Sequence, residues 1–453
     1  MLKPFNRYAF LLFTILLSLT VSAQTNSGSG VTDNSPYSRL GLGDLVNQNF
    51  AAANGMGNLS ATLHDGLHLN ILNPASYAHL QATAFEVGFY GEYASLQSGE
   101  QATNFWNGNL NYLAVGFPIK NPINKVLDRD KSPWGWGMNI SLTPYSRVGY
   151  DIETDVQIDT LQTSNFFRGT GGTYKILWGN GVRYKNLSFG VNAGFIFGKI
   201  SNERIVTLDN ADSHFFFNEL SDEFSVNGFV WNAGIQYDII LDQKETTTNA
   251  AFTGKRLIIG AYGNSTTGIE TNTSQLYTRL PVPATFGIRA DTITATSGVI
   301  EPGQLPAEFS FGLMYENTNK FRAGANMHYG YWSGYENANQ DEVLSDSYEF
   351  SAGIEITPDI LSYNNYWKKV RYRFGGFYGN DPRSFQGEQL QRYGVTLGFG
   401  LPIILPRQQT SYVNFALEAG RFGLTDSLHE NYLRMTLGFT LTDNTWFFKR
   451  KFN

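Results

Sequence analysis

From Ala82 to Leu441 the chain repeats one pattern, with apolar side chains at every second position and polar or small residues between them. Phe85, Val87 and Phe89 alternate with Glu86, Gly88 and Tyr90. Leu187, Phe189, Val191, Ala193, Phe195 and Phe197 oppose Ser188, Gly190, Asn192, Gly194 and Gly198, and the same period returns across 321–331, 348–356, 393–401 and 433–441. Successive side chains of a strand point to opposite faces, so each run has one apolar face and one polar face. The polar face carries Glu349, Glu355, Arg392 and Arg434, charges that need water or partners and cannot face hydrocarbon. Two architectures accept long alternating strands, a secreted sandwich and a transmembrane barrel. The run is too long for one sandwich, shows no helical segment and suits about 14 or 16 strands of barrel length. Closure also removes the exposed edges that an all-strand chain must otherwise protect. The expected fold class is all-β, a transmembrane antiparallel barrel of about 14 strands.

The start of the chain predicts the compartment. Lys3 and Arg7 form a basic start, Ala9 to Leu19 an apolar run, and Val21-Ser22-Ala23 a small-residue cleavage site, as in a secretory signal peptide. That apolar run is far shorter than the roughly 18 residues of a spanning helix, and no later stretch approaches this length. Any membrane span is therefore made of strands. Charged residues are 16% of the chain, against about 25% in an average soluble protein. Aromatic residues at 15% and 47 glycines suit a wall that turns apolar groups outward and closes tight turns. A net charge of -6 lacks the basic footprint that nucleic acid requires, and without cysteine there is no disulfide framework. The expected location is the cell outer membrane.

Residues 24–81 break the period. Ser35 to Asp44 and Asn54 to Asn58 carry glycine at close intervals without a sustained helical or strand pattern. Within Asn70 to Tyr77, Asn73 precedes a proline and is pushed towards extended backbone, while Pro74 offers no N–H to a sheet. Such a segment fills space better than it pairs. The expected organisation is a signal peptide (1–23), an irregular plug (24–81) inside a barrel (82–441), and a short tail (442–453).

A leader, an irregular unit with Asn73-Pro74-Ala75, and then a barrel-patterned chain together resemble the FadL/TodX family of outer-membrane transporters. The resemblance implies a 14-stranded barrel plugged by an N-terminal hatch, with hydrophobic small molecules crossing by a laterally opening route. Ser35 to Asp44 and the ending Trp446-Phe447-Phe448-Lys449-Arg450-Lys451 look similar to Bacteroidetes members, a group that also contains PorV-like accessories of type IX secretion. Asn73, Pro74 and Ala75 are the residues that the motif transfers. A kinked early strand opens the wall in this family, and Thr143-Pro144, which interrupts the alternation of Trp134 to Leu142, is its candidate here. The alternative is that Pro144 starts the loop after a short strand.

Expected loops are Asn121 to Ser132, Asn202 to Asp222, Asp242 to Gly254 and Asn337 to Asp346. Phe215-Phe216-Phe217 in the second is the candidate partner or ligand contact, with an aromatic girdle as the alternative. No nucleophile elbow, phosphate loop, dinucleotide fingerprint or zinc-protease motif is present, so no enzyme activity and no cofactor are expected. Gly169-Thr170-Gly171-Gly172 lacks the lysine and following helix of a phosphate loop and reads as a turn between strands. His64 and His68 stand four apart around Asp65, but Gly66 weakens a helix and no third ligand is evident, so no metal site is expected. The expected function is passive outer-membrane transport of hydrophobic small molecules, such as a long-chain fatty acid or an aromatic hydrocarbon. The alternative is a secretion accessory that binds protein partners. The expected surroundings are outer-membrane lipid and no nucleic acid.

Overall fold

The computed structural model describes residues 35–99, 101–119, 132–158, 161–208, 215–243, 254–282, 291–337, 343–405, 409–424 and 427–445. The expected signal peptide and the ending from Trp446 lie outside the described residues. The alternating segments form strands β2 (Thr83–Ser98), β3 (Gln101–Pro118), β4 (Trp134–Ile158), β5 (Leu161–Tyr184), β6 (Leu187–Leu208) and β7 (Phe215–Gln243). They continue as β8 (Gly254–Asn264), β9 (Thr267–Val282), β10 (Asp291–Leu305), β11 (Glu308–Asn317), β12 (Phe321–Gly330) and β13 (Glu336–Asn337). Last come β14 (Ser347–Ile356), β15 (Arg371–Phe385), β16 (Glu388–Ile404), β17 (Thr410–Gly423) and β18 (Leu428–Asp443). A two-residue strand, β1 (Asp44–Leu45), precedes them all. Every pairing is antiparallel, and β18 closes onto β2 from Leu428 opposite Ser98 to Asp443 opposite Thr83. Three strand pairs, β8 with β9, β10 with β11 and β12 with β13, each form one broken stave, so fourteen staves surround the lumen.

The alternation sorts the side chains as a membrane wall requires. Phe189, Phe195, Phe229, Phe309 and Phe311 are exposed on the outside, while Ser188, Asn192, Ser310 and Thr436 are buried on the inside. A closed barrel pairs its wall backbone between strands and puts apolar groups against lipid, which makes this an outer-membrane-type span.

The staves differ in length. β11, β12 and β14 have 10 residues each, about what a tilted strand needs to cross a bilayer, whereas β7 has 29. Ala233–Gln243 of β7 pair with β8, and Phe215–Gly228 continue beyond it to pair with β9. We call this overhanging side the far end, and the side where β2 starts and β18 finishes the near end. The expected loop Asn202 to Asp222 is therefore corrected: most of it belongs to the β6–β7 hairpin, and Phe215–Phe217 begin β7 opposite Val282, Pro281 and Leu280. The expected turn Gly169–Gly172 is also corrected, since it lies inside β5. Gly171 and Gly172 have φ of 115° and 151° there, and they let the neighbouring strand backbones approach more closely than any Cβ allows. Of the other expected loops, most of Asn121–Ser132 and Asp242–Gly254 lies outside the described residues.

The segment 35–81 runs from the far end to the near end inside the lumen. It contains one turn of helix, α1 (Ala51–Asn54), and a 3-10 turn (Pro74–His79), and most of its residues are buried. Its backbone lies against wall glycines. A Cβ on Gly181 or Gly190 would strike the Pro74 carbonyl, and one on Gly353 or Gly375 would strike Met56. Many of the glycines thus mark where plug and wall backbones touch, rather than turns. Gly190→Val should leave the barrel assembled but unseat the 3-10 turn, at a cost of roughly 1–3 kcal/mol. Limited proteolysis reads this as faster cleavage within residues 60–80, and cleavage no faster than in the parent would show that the plug does not depend on this contact.

Candidate functional site

Asn73-Pro74-Ala75 opens the 3-10 turn at the heart of the plug. Pro74 fills the first helical position, where a missing N–H costs nothing, and Asn73 caps the turn by accepting from the Ala75 N–H at 3.1 Å. The Asn73 amide donates to the Ala61 carbonyl at 2.6 Å and, at 3.4 Å, to that of Ala261 on β8. Asn73 is wholly buried, with Gly234 of β7 leaving the room for its side chain. Tyr77, at the middle of the turn, donates to Asn192 of β6 at 3.0 Å and accepts from Asn139 of β4 at 3.4 Å.

Thr143 and Pro144 lie within β4, which continues to Ile158 and so does not end in a loop at the proline. The β3–β4 ladder runs from Pro118 opposite Gly137 to Leu113 opposite Leu142 and stops there, immediately before Thr143. The register of β4 with β5 shifts between Pro144 and Ser146. Beyond that point β4 is paired from inside by the plug: Leu45 lies opposite Ser146 and Asp44 opposite Arg147, and the Val46 N–H donates to the Tyr145 carbonyl at 2.9 Å. From Ser141 to Tyr150 every residue is buried or half-buried, so here β4 has lost its lipid-facing side.

At the near end the plug and wall are joined by charge. Asp65 of the plug accepts from Arg371 at 2.7 Å and from Arg322 at 3.3 Å. Arg322 also pairs with Glu316 and Glu355, Arg256 with Asp238 and Glu316, and Arg373 with Glu355. Burial opposes ionisation of Asp65, yet Arg371 and Arg322 together hold its carboxyl well below the usual range. His64 and His79 stack at 3.7 Å. Burial, reinforced by neighbours that include Arg256 and Arg183, holds both imidazoles well below the ordinary value. His68 lies elsewhere, 3.1 Å from Thr440 and 3.6 Å from Glu86. His64, His79 and Asp238 do approach within 4.8 Å of one another. Arg183 donates to His79 Nδ1 and Arg256 to Asp238, however, so cations already engage two of these three groups.

A cavity of about 330 Å³ opens beside this network, lined in part by His64, His79, Arg183, Lys369, Trp134 and Trp136. At the far end the lumen is filled instead by an apolar cluster that includes Tyr145, Tyr150, Phe224, Val226, Trp332 and Leu344. Sequence reasoning placed Glu355 and Arg322 on the inward polar face and noted Asp65 only as the residue between His64 and His68, and it missed Arg371 and the pairing of Asp65 with both arginines. The inward phase of the alternation marks the two arginines, whereas nothing local marks Asp65.

The family model described as BamG matches residues 1–453. No curated protein matches the chain by sequence. Among solved structures, the CymD monoaromatic hydrocarbon channel is similar with a TM-score of 0.54 and 12% identity, covering 89% of this chain and 98% of that one. The Ralstonia pickettii toluene transporter TbuX gives 0.53 and 12%, covering 87% and 98%. A Pseudomonas aeruginosa FadL homologue gives 0.51 and 10%, also covering 87% and 98%. The shared fold is that of FadL-like outer-membrane channels.

Acid should loosen the plug in two stages. The two histidines have folded values below their unfolded value near 6.5, so the unfolded plug takes up protons first and stability falls as pH drops through that value. The slope is at most about 1.4 kcal/mol per pH unit for each histidine. Asp65 acts lower, because its contribution is present above about 3.9 and is lost only towards its depressed folded value. Proteolysis of the plug at pH 7.5, 6 and 5 should accelerate stepwise, and His64→Gln with His79→Gln should flatten this range. An unchanged profile in that double variant would assign the acid response elsewhere.

Proposed function

We propose, for a chain that belongs to the BamG family over residues 1–453, that it is an outer-membrane conduit for hydrophobic small molecules with a sideways exit between β3 and β4. The near end, where both ends of the wall lie, faces the periplasm. One observation carries this reading, the stop of the β3–β4 ladder at Leu113–Leu142 directly before Thr143-Pro144. An unpaired strand edge in hydrocarbon costs several kcal/mol per orphaned group, so such a break persists only while something else satisfies it. β1 meets part of that need from the lumen side at Ser146 and Arg147. Withdrawal of β1 with the plug would leave a passage from lumen to lipid. An apolar solute gains roughly 0.8 kcal/mol per buried CH₂ on leaving water for it. The fold shared with CymD and TbuX is compatible with this route, although at 12% identity it speaks for architecture alone.

A second reading has its own observation. The lumen is filled by a charge-paired plug and an apolar cluster, and charged side chains such as Arg256, Glu316, Arg322 and Arg371 stand among the apolar and neutral residues that line the near-end cavity. A filled barrel with an overhanging sheet suits a protein that holds a partner, such as a secretion component, and passes no small molecule.

Pro144→Val restores a ladder donor and a residue favoured in strands, so the break should shrink. Uptake of a hydrophobic tracer by cells should fall several-fold at equal surface abundance and with normal heat-modifiable mobility on gels. Undiminished uptake in Pro144→Val would remove the sideways exit. A deletion strain that keeps its uptake but accumulates secreted proteins in the periplasm would replace transport with the partner-holding role.

A further inference from the structure

We infer that the near-end turn between β14 and β15, residues 357–370, is an anchor for an acidic phospholipid leaflet, and this inference needs only the barrel in its membrane and not the transport reading. Strand length sets the level of the turn. β14 has 10 residues, about what a tilted strand needs to cross the hydrocarbon, so Ile356 at its end stands at the near boundary and Thr357 begins in the headgroup layer. The outward face agrees, since Ile356, Ile403 and Ile404 expose apolar side chains right at the ends of their strands. At the same end Trp134, Trp136, Tyr184 and Tyr237 are about half-exposed on the outside, as in an aromatic girdle.

The turn is bonded within itself and to the wall. The Asp359 N–H donates to the Lys368 carbonyl at 2.8 Å, and Asp359 Oδ1 accepts from the Leu361 N–H at 3.1 Å. Asn365 caps the 3-10 turn Tyr366–Lys369 by accepting from the Trp367 N–H at 3.0 Å. Two tyrosine hydroxyls hold the returning limb down. Tyr366 donates to the Pro402 carbonyl of β16 at 3.2 Å, and Tyr372 donates to the Trp367 carbonyl at 3.0 Å. Tyr372 stands on the outward face of β15, between the inward Arg371 and Arg373 and edge-on to Phe399. Its bond therefore sets Trp367 on the lipid side of the wall, at the level of the girdle.

What the turn exposes selects its partner. Leu361 is 87% exposed, Tyr363 96% and Trp367 64%, three large apolar side chains within seven residues that pack on nothing in the chain. Lys368 is exposed and Lys369 half-buried, and neither has an ion pair among the described residues. These two lysines against the single carboxylate of Asp359 give the turn a charge of +1, in a chain whose net charge is -6. Aromatic and apolar groups for the acyl boundary, with cations beside them for phosphate, match an acidic phospholipid. An acidic protein surface would satisfy the lysines but leaves the level of the turn, at the edge of the hydrocarbon, without a reason.

The chain has no cysteine, so single reporters can be introduced. Leu361→Cys and Tyr363→Cys, each labelled with an environment-sensitive dye in the full-length protein, are placed in nanodiscs of phosphatidylcholine mixed with phosphatidylglycerol. Lipids spin-labelled near the headgroup quench from the membrane, and iodide quenches from water. Phe374→Cys on the lipid-facing wall and Val343→Cys, 86% exposed before the far end of β14, serve as references. Both turn labels should follow Phe374, with several-fold stronger lipid quenching and weaker iodide quenching than at Val343. Spin-labelled phosphatidylglycerol should quench them more than spin-labelled phosphatidylcholine, and Lys368→Gln should lower that preference roughly fivefold. Turn labels as open to iodide as Val343 and untouched by spin-labelled lipid overturn the proposal and leave the turn to a protein partner in water. Equal quenching by the two lipids also overturns it, because a neutral leaflet then serves as well.

Discussion

A wall that turns its apolar side chains to lipid must satisfy, on its inner side, every polar group it turns inward. Short staves meet this with neighbouring hydroxyls and amides, as Ser310 does with Asn326. The charged positions need more. Arg322 and Arg371 stand on staves separated by β14, and Asp65 of the plug joins them. Removing one member of such a buried group typically costs about 3–5 kcal/mol, because the partners stay behind without compensation. The plug is thus a requirement of the wall chemistry as well as a stopper. The wall in turn supplies the glycines against which the plug lies, so neither part is complete alone.

The lumen is divided by chemistry along its length. At the near end it is charged and hydrogen-bonded around Asp65, His64 and Asn73. At the far end it is an apolar core built from the inward faces of β4, β5, β6, β7 and β9, closed by Trp332 and Leu344. An apolar solute meets the larger apolar cluster in the far half, whereas a straight passage through the near half takes it past the charged network, where the smaller cluster around Leu69, Ile71 and Leu80 is packed between plug and wall. The break in the wall beside Pro144 lies where the two halves meet, since Tyr145 already belongs to the apolar cluster while Asn139 belongs to the polar one. The proposed sideways exit follows the change in polarity, whereas axial passage opposes it.

The wall was legible because hydrocarbon on one side and a packed lumen on the other impose a strict period of two. Where a stave leaves the bilayer that pressure ends. Asn202, Glu203, Asn218, Glu219 and Asp222 belong to regular hairpin strands, yet with water on the outer face their sequence reads as a polar loop. Gly169–Gly172 misled for a related reason: the glycines serve close approach of strand backbones and the Tyr150 ring, and composition alone does not separate that from a turn. Asn73-Pro74 was legible through its own cap chemistry, which is local. Its cradle was not, because Gly181, Gly190 and Gly234 come from three different staves. Asp65 and Arg371 lie 306 residues apart, and nothing beside either residue names the other.

The plug and the wall break are coupled through β1. Asp44 lies opposite Arg147 on β4, beside the break, and its carboxylate accepts from Arg383 of β15 at 2.5 Å. Arg383 is held in turn by Asp381 at 2.6 Å and donates to the Tyr37 carbonyl at 3.0 Å, so one buried guanidinium joins a distant stave, the far part of the plug and β1. Glu430 of β18 fixes the start of the same segment by accepting from Ser35 at 2.7 Å. β1 therefore cannot leave β4 while these contacts hold, and the backbone of β4 near Ser146 and Arg147 cannot lose β1 without gaining another partner. On the proposed sideways exit, β1 seated on β4 is the covered state, and an open state would require β4 to pair with β3 or an incoming chain in its place. Under that proposal the exit would respond to whatever competes for Arg383 or displaces Asp44, rather than to pressure along the barrel axis.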